Sequence, residues 1–199
     1  SISFRGNLHR LANKFIDNGE FEKANEIMDL SFEKMPIDFF EYYSLSEPYI
    51  LSYYKIGEDK KAQNLYKTIE AKYLDQIKYY SISMREYEDI FDLSEFAENI
   101  FTYTERYRGL IENQIKLGNY DFVKPSIKSF VDYTEIFKGI YGEYDYYMFL
   151  ISFIEPLYLS SENNLARKLY KDISDQIVSR LETIISVSYT HLTLPTTTI

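Results

Sequence analysis

Residues 8–36 read LHRLANKFIDNGEFEKANEIMDLSFEKMP, and this stretch decides the fold class. Leu8, Leu11, Ala12, Phe15 and Ile16 fall on one face at helical spacing, while Arg10, Asn13, Lys14 and Asp17 occupy the other. Gly19 breaks this amphipathic helix; Phe21, Ala24, Ile27 and Met28 then open a second one, which Pro36 closes after Met35. The pair is a helical hairpin. A large residue, Leu, a small residue and an aromatic ahead of Gly, then an aromatic and Ala, then Pro, is the order of a tetratricopeptide unit, and Leu8, Leu11, Ala12, Phe15, Gly19, Phe21, Ala24 and Pro36 follow it.

The signature returns further along the chain. Tyr49, Ile50 and Tyr53 lead to Gly57, after which Ala62, Leu65, Tyr66, Ile69, Tyr73 and Ile77 mark a long second helix. Gly19 to Gly57 and Ala24 to Ala62 share a period of 38 residues, the size expected of stacked helix pairs. A degenerate third unit runs through Tyr107, Leu110 and Ile111 to Gly118, then Tyr120, Val123, Ile127 and Phe130, with Val123 in the small-residue place and Pro125 as a further departure. Glu155-Pro156 leading to Leu165-Ala166 and Leu169-Tyr170 echoes Glu47-Pro48 leading to Lys61-Ala62 and Leu65-Tyr66, which makes a fourth candidate. Between units two and three, Leu93, Phe96, Ala97, Ile100, Phe101, Tyr107, Leu110 and Ile111 predict one long helix over 90–117, with Ser94 as a possible N-cap. Sustained strand alternation is absent from the sequence. The expected fold is all-α, a tetratricopeptide-like stack of antiparallel helix pairs with about seven to nine helices.

Composition bounds the function classes. The 199 residues include 7 Gly and 5 Pro, are 45% hydrophobic and 27% charged, and carry a net charge of −9, from 22 Lys and Arg against 31 Asp and Glu. A nucleic-acid groove or an anionic-membrane patch is not expected of such a chain. With no Cys and two His, thiolate metal sites and Cys nucleophiles are excluded. The longest apolar run, Tyr146 to Ile154, ends at Glu155-Pro156, well short of the about 18 residues of a spanning helix. The chain starts at Ser1 without Met or a signal-like segment, from which a cut within a longer protein is expected.

Ser186 to Ile199 departs in composition, with five Thr and no Asp, Glu, Lys or Arg. Ser186 to Thr196 resembles the translation of a transposase-based sequencing adapter, whose mosaic end reads Val-Ser-Tyr-Thr-His-Leu and continues Thr-Leu-Pro-Thr. Residues 1–185 are therefore taken as the helical-repeat domain and 186–199 as a non-native tail, which would make Tyr189 and His191 unevolved residues.

Candidate chemistry is sparse. Twenty-one Tyr and 14 Phe make 18% of the chain aromatic, either as a surface for a peptide or sugar or as wedges between helices. His9 lacks a nucleophile motif or a second ligand, so it reads as a helix residue. The acids Glu86, Glu88 and Asp89, and Asp172 with Asp175, lack calcium-loop order and read as solvated helix faces. Arg5, Arg106 and Arg108 suit either an anion clamp or pairing with Glu across helical spacing. No catalytic residue, metal site or cofactor is expected. A concave face built by the first helix of each pair, with Asn13, Tyr49, Tyr53 and Tyr107, is the expected binding surface.

Arg10-Leu11-Ala12, Gly19-Glu20 with Lys23-Ala24, Glu33-Lys34-Met35-Pro36, Tyr42-Tyr43 with Glu47-Pro48, Tyr53-Tyr54 with Gly57, Lys61-Ala62, Lys72-Tyr73, Tyr79-Tyr80 and Glu105-Arg106-Tyr107-Arg108 together resemble a known family. It comprises bacterial multi-spanning membrane proteins with a domain of unknown function, classed as protein O-mannosyltransferase-like glycosyltransferases. The resemblance is to their soluble C-terminal region and covers about Ser1 to Gly142. It implies a helical domain on the extracytoplasmic, periplasmic face of the inner membrane, following a bundle that uses a lipid-linked sugar donor. The family's presumed catalytic acid lies in that bundle, so no catalytic residue carries over. The resulting expectation is a non-catalytic interaction domain that binds an acceptor protein, peptide or partner and is joined in cis to the membrane bundle, without inserting itself. The alternative is a free-standing cytoplasmic tetratricopeptide-type scaffold. An independent helical glycan-active enzyme would have only scattered carboxylates to work with.

Overall fold

Gly19 turns the chain at φ +75°, a left-handed conformation that costs glycine nothing and lets two consecutive N–H groups reach back into the helix just ended. Gly19 N donates to the Ile16 carbonyl at 3.0 Å and Glu20 N to Phe15 at 2.8 Å; the Glu20 carbonyl then accepts from Ala24 N at 3.1 Å to start the next helix. The same three bonds recur around Gly57, Gly118 and Ser161, the last a non-glycine residue at φ 65°. This turn establishes the fourth unit, in which Ser161 stands where the other three have Gly.

The structure, a computed structural model, describes residues 2–39, 43–86 and 94–192. Among them every regular element is helical: α1 (Ile2–Asp17), α2 (Phe21–Lys34), α3 (Glu47–Lys55), α4 (Asp59–Glu86), α5 (Ser94–Lys116), α6 (Tyr120–Tyr133), α7 (Phe137–Tyr141), α8 (Glu143–Leu150), α9 (Ile154–Leu159) and α10 (Asn163–Leu192), with 3-10 turns at Tyr43–Leu45 and Ile151–Phe153. The all-α expectation holds. Ile90 to Leu93, at the start of the long helix expected over 90–117, and Glu88 with Asp89 lie outside the described residues, and α5 starts at Ser94.

The backbone groups into two compact units, Ser1–Leu110 and Ile111–Ile199. In the first, Ala12, Ala24 and Ala62 are fully buried, because a methyl group is all that fits where paired helices approach closely. Tyr49, Tyr66, Tyr73 and Tyr107 fill the space between successive pairs and are likewise fully buried. Glu47-Pro48 opens α3 with Pro in the first turn, where its missing N–H has no helical partner to lose.

In the second unit, Val123, Ile127 and Phe130 of α6 are fully buried, as are Phe153 and Leu157, and the Phe130 and Phe153 rings stand edge to face at 5.0 Å. Ala166, Leu169 and Ile173 bury the first half of α10. Beyond Ile177 every described side chain of α10 is exposed, and the helix runs on through Ser186 to Leu192, across the composition break; residues 193–199 lie outside the described part. No helix among the described residues is long and apolar enough to cross a membrane.

Candidate functional site: an open cleft in the first unit

Three of the four expected surface residues are packing residues. The Tyr49 ring has no exposure, and its hydroxyl donates to the Arg5 carbonyl at 2.8 Å and lies 3.0 Å from Ser31 Oγ. Tyr107 is equally buried, and its hydroxyl donates to Glu70 on α4 at 2.7 Å. Tyr53 is 3% exposed and donates to Asp29 Oδ1 at 2.9 Å. Tyr49 and Tyr107 act as wedges whose hydroxyls find protein acceptors and are closed to a ligand, whereas Tyr53, although nearly buried, borders an open cleft. Asn13 alone is half-exposed: its Oδ1 and His9 Nε2 each lie 3.0 Å from Ser52 Oγ, linking α1 to α3.

The arginines are structural as well. Arg5 is 2% exposed, donates to Ser46 Oγ and to the Met35 carbonyl, and lies 5.2 Å from the centre of the Phe32 ring. Met35 caps the C-terminus of α2, so the cation meets the negative end of that helix. Arg108 grips Glu105 one turn earlier at 2.8 Å. Arg106 lies 5.9 Å from the Tyr103 ring centre and counters the rise that burial imposes on the Glu47 carboxyl.

The described residues of the first unit frame an open cleft of about 480 Å³ between α2, α3 and α4. Phe32 of α2, Pro36 and Ile37 in the turn after it, and Leu65 of α4 supply its apolar lining. Asp29, Asp38, Tyr53, Lys61, Asn64 and Thr68 add polar groups. Lys61, Leu65 and Thr68 share one face of α4 at three- and four-residue spacing. Lys61 Nζ bonds Asp29 Oδ2 at 2.6 Å and Asn25 Oδ1 at 2.8 Å, while Lys72 holds Asp38 at 2.7 Å. The cleft is thus apolar within and bordered by two neutralised ion pairs.

Its groups are suited to binding. Burial, with Asp29 adding to it, raises the Tyr53 phenol above the usual range and keeps it protonated as a donor. The hydrogen bond to Asp38 raises the Lys72 ammonium and keeps it charged. Thr68 Oγ1 donates to the Asn64 carbonyl of its own helix. Sequence reading missed this cleft because Asp29 and Lys61 stand 32 residues apart, and only the packing of the second helix pair on the first, within residues 1–110, brings them together. Among the described residues no group of three His, Asp or Glu is placed to hold a metal ion.

Comparison with known proteins finds no matching family model, curated protein or solved structure. The fold and the cleft define the class: an all-α protein of stacked helix pairs.

Proposed function

We propose that this chain is a non-catalytic interaction domain whose cleft between α2, α3 and α4 receives a segment of an acceptor or partner polypeptide. The observation that carries the reading is the open cleft of about 480 Å³, apolar inside and edged by paired charges. An apolar side chain entering it would cover Phe32, Ile37 and Leu65, while peptide N–H and C=O groups would meet the Asp and Lys edges.

Following the resemblance in the motifs from Arg10-Leu11-Ala12 to Glu105-Arg106-Tyr107-Arg108, the domain belongs on the extracytoplasmic side of a multi-spanning glycosyltransferase and holds acceptor protein near it. Two measurements test this. Fluorescently labelled peptides from extracytoplasmic acceptor proteins should bind the full chain, and Thr68→Arg, on an exposed position at the cleft, should weaken that binding at least tenfold. Binding unaffected by Thr68→Arg, or no binding at all, would exclude the cleft. Reading the native gene upstream of Ser1 should reveal spanning segments in frame; a start codon there would instead favour the free-standing scaffold.

A further inference from the structure

The two ion pairs that border the cleft stand apart along α4. Lys61, Leu65, Thr68 and Lys72 follow one another at intervals of four, three and four residues, which makes a single stripe on that helix. At a helical rise of about 1.5 Å per residue, Lys61 and Lys72 are about 16 Å apart along the axis. Lys61 meets Asp29 of α2 at 2.6 Å, and Lys72 meets Asp38, in the turn after α2, at 2.7 Å. The apolar residues fall between these pairs in sequence, Leu65 on α4 and Phe32, Pro36 and Ile37 on the other wall.

Each pair turns its acid outward. The Asp38 side chain is 73% exposed against 30% for Lys72, and that of Asp29 is 47% exposed against 36% for Lys61. Lys61 is also held by Asn25 Oδ1 at 2.8 Å and lies 5.8 Å from the centre of the Tyr53 ring. Asp38 and Asp29 both line the cleft, whereas of the two lysines only Lys61 does. The ammonium groups are thus spent inside the protein, while an ionised carboxylate has about four lone-pair sites and can take a further donor. The net charge of −9 adds a field of the same sign. An acidic ligand would meet a carboxylate at both ends of the apolar lining; a cationic one gains a partner at each.

We propose that the polypeptide segment taken by this cleft is basic at both ends and apolar between them: two Lys or Arg about five residues apart, one on Asp29 and one on Asp38, with an apolar side chain seated on Phe32, Ile37 and Leu65. The inference rests on the reading of the cleft as a polypeptide site and adds which polypeptides it admits. The spacing follows from an extended chain, which advances roughly 3.3 Å per residue and covers about 16 Å in five. Burial of the apolar side chain supplies affinity, and the two cations select the partner.

A display library of short random peptides, selected against the full chain at physiological salt, tests it. The selected peptides should carry Lys or Arg on both sides of an apolar residue, and should bind at least fivefold more weakly at about 1 M salt than at about 0.15 M. Asp38→Lys should weaken them at least tenfold, and selection against that variant should return Asp or Glu in one of the two basic places. Thr68→Trp, which fills the cleft without adding charge, should abolish binding of both sets. Asp38 and Thr68 are exposed, and circular dichroism checks that the variants fold. Selected peptides that are acidic or uncharged, yet are still lost in Thr68→Trp, would overturn this inference and leave the cleft as a polypeptide site. Peptides indifferent to Thr68→Trp, or no selected peptide at all, would overturn the reading of the cleft and the inference with it.

Discussion

Ser161 holds at φ 65° a conformation that three glycines occupy elsewhere in the chain. A side chain there crowds its own carbonyl, at roughly 1 kcal/mol, so Ser161→Gly should raise stability by about 1 kcal/mol, part of which the more flexible unfolded chain returns. Urea unfolding of the two proteins measures the difference. His9 gives a second residue-scale prediction. Burial beside Tyr49, Asn13 and Ser52, followed by the Lys55 charge, pushes its imidazole below the ordinary value of about 6.5. The unfolded chain takes up a proton at that site as pH falls through about 6.5 while the folded chain does not, so stability falls from there down to the lowered folded value and then levels. Melting curves between about pH 7.5 and 5.5 should show this decline (roughly one pH unit either side of the ordinary value), and it should shrink in His9→Gln.

At the scale of the elements, the alanines set how closely paired helices approach. Ala62 is fully buried where α4 meets α3, and Ala24 where α2 meets α1. Ala62→Leu adds a branched side chain where a methyl group fills the space, and should cost about 1 to 3 kcal/mol, read as a lower urea midpoint. Much of the element pattern was legible in sequence, because Gly, Ala and Pro act locally: one turns the chain, one admits a neighbour, one ends or opens a helix. The Gly118 turn shows that this local code survives Val123 in the small-residue place. Ser161 was harder to read, because a serine carries no sign that its backbone will be left-handed; the echo of Lys61-Ala62 and Leu65-Tyr66 in Leu165-Ala166 and Leu169-Tyr170 was the available signal.

At the scale of the whole molecule, the adapter-like stretch joins an α10 whose side chains are already exposed for several turns. Removing 186–199 should therefore change stability by no more than about 0.5 kcal/mol, checked by melting the chain truncated after Ile185. The candidate site was poorly legible at this scale. Tyr49, Tyr53 and Tyr107 have the composition of a binding surface, yet the stack turns them inward, where Arg5, Asp29 and Glu70 receive their hydroxyls. The sequence by itself determined the helical hairpins, their turns and the faces that must be buried, since those follow from side-chain period and backbone conformation within one or two turns. Tertiary structure alone decided which aromatic rings became core and that Asp29 would meet Lys61 across 32 residues. Burial is a property of neighbours, and a residue's neighbours in a stack come from other pairs.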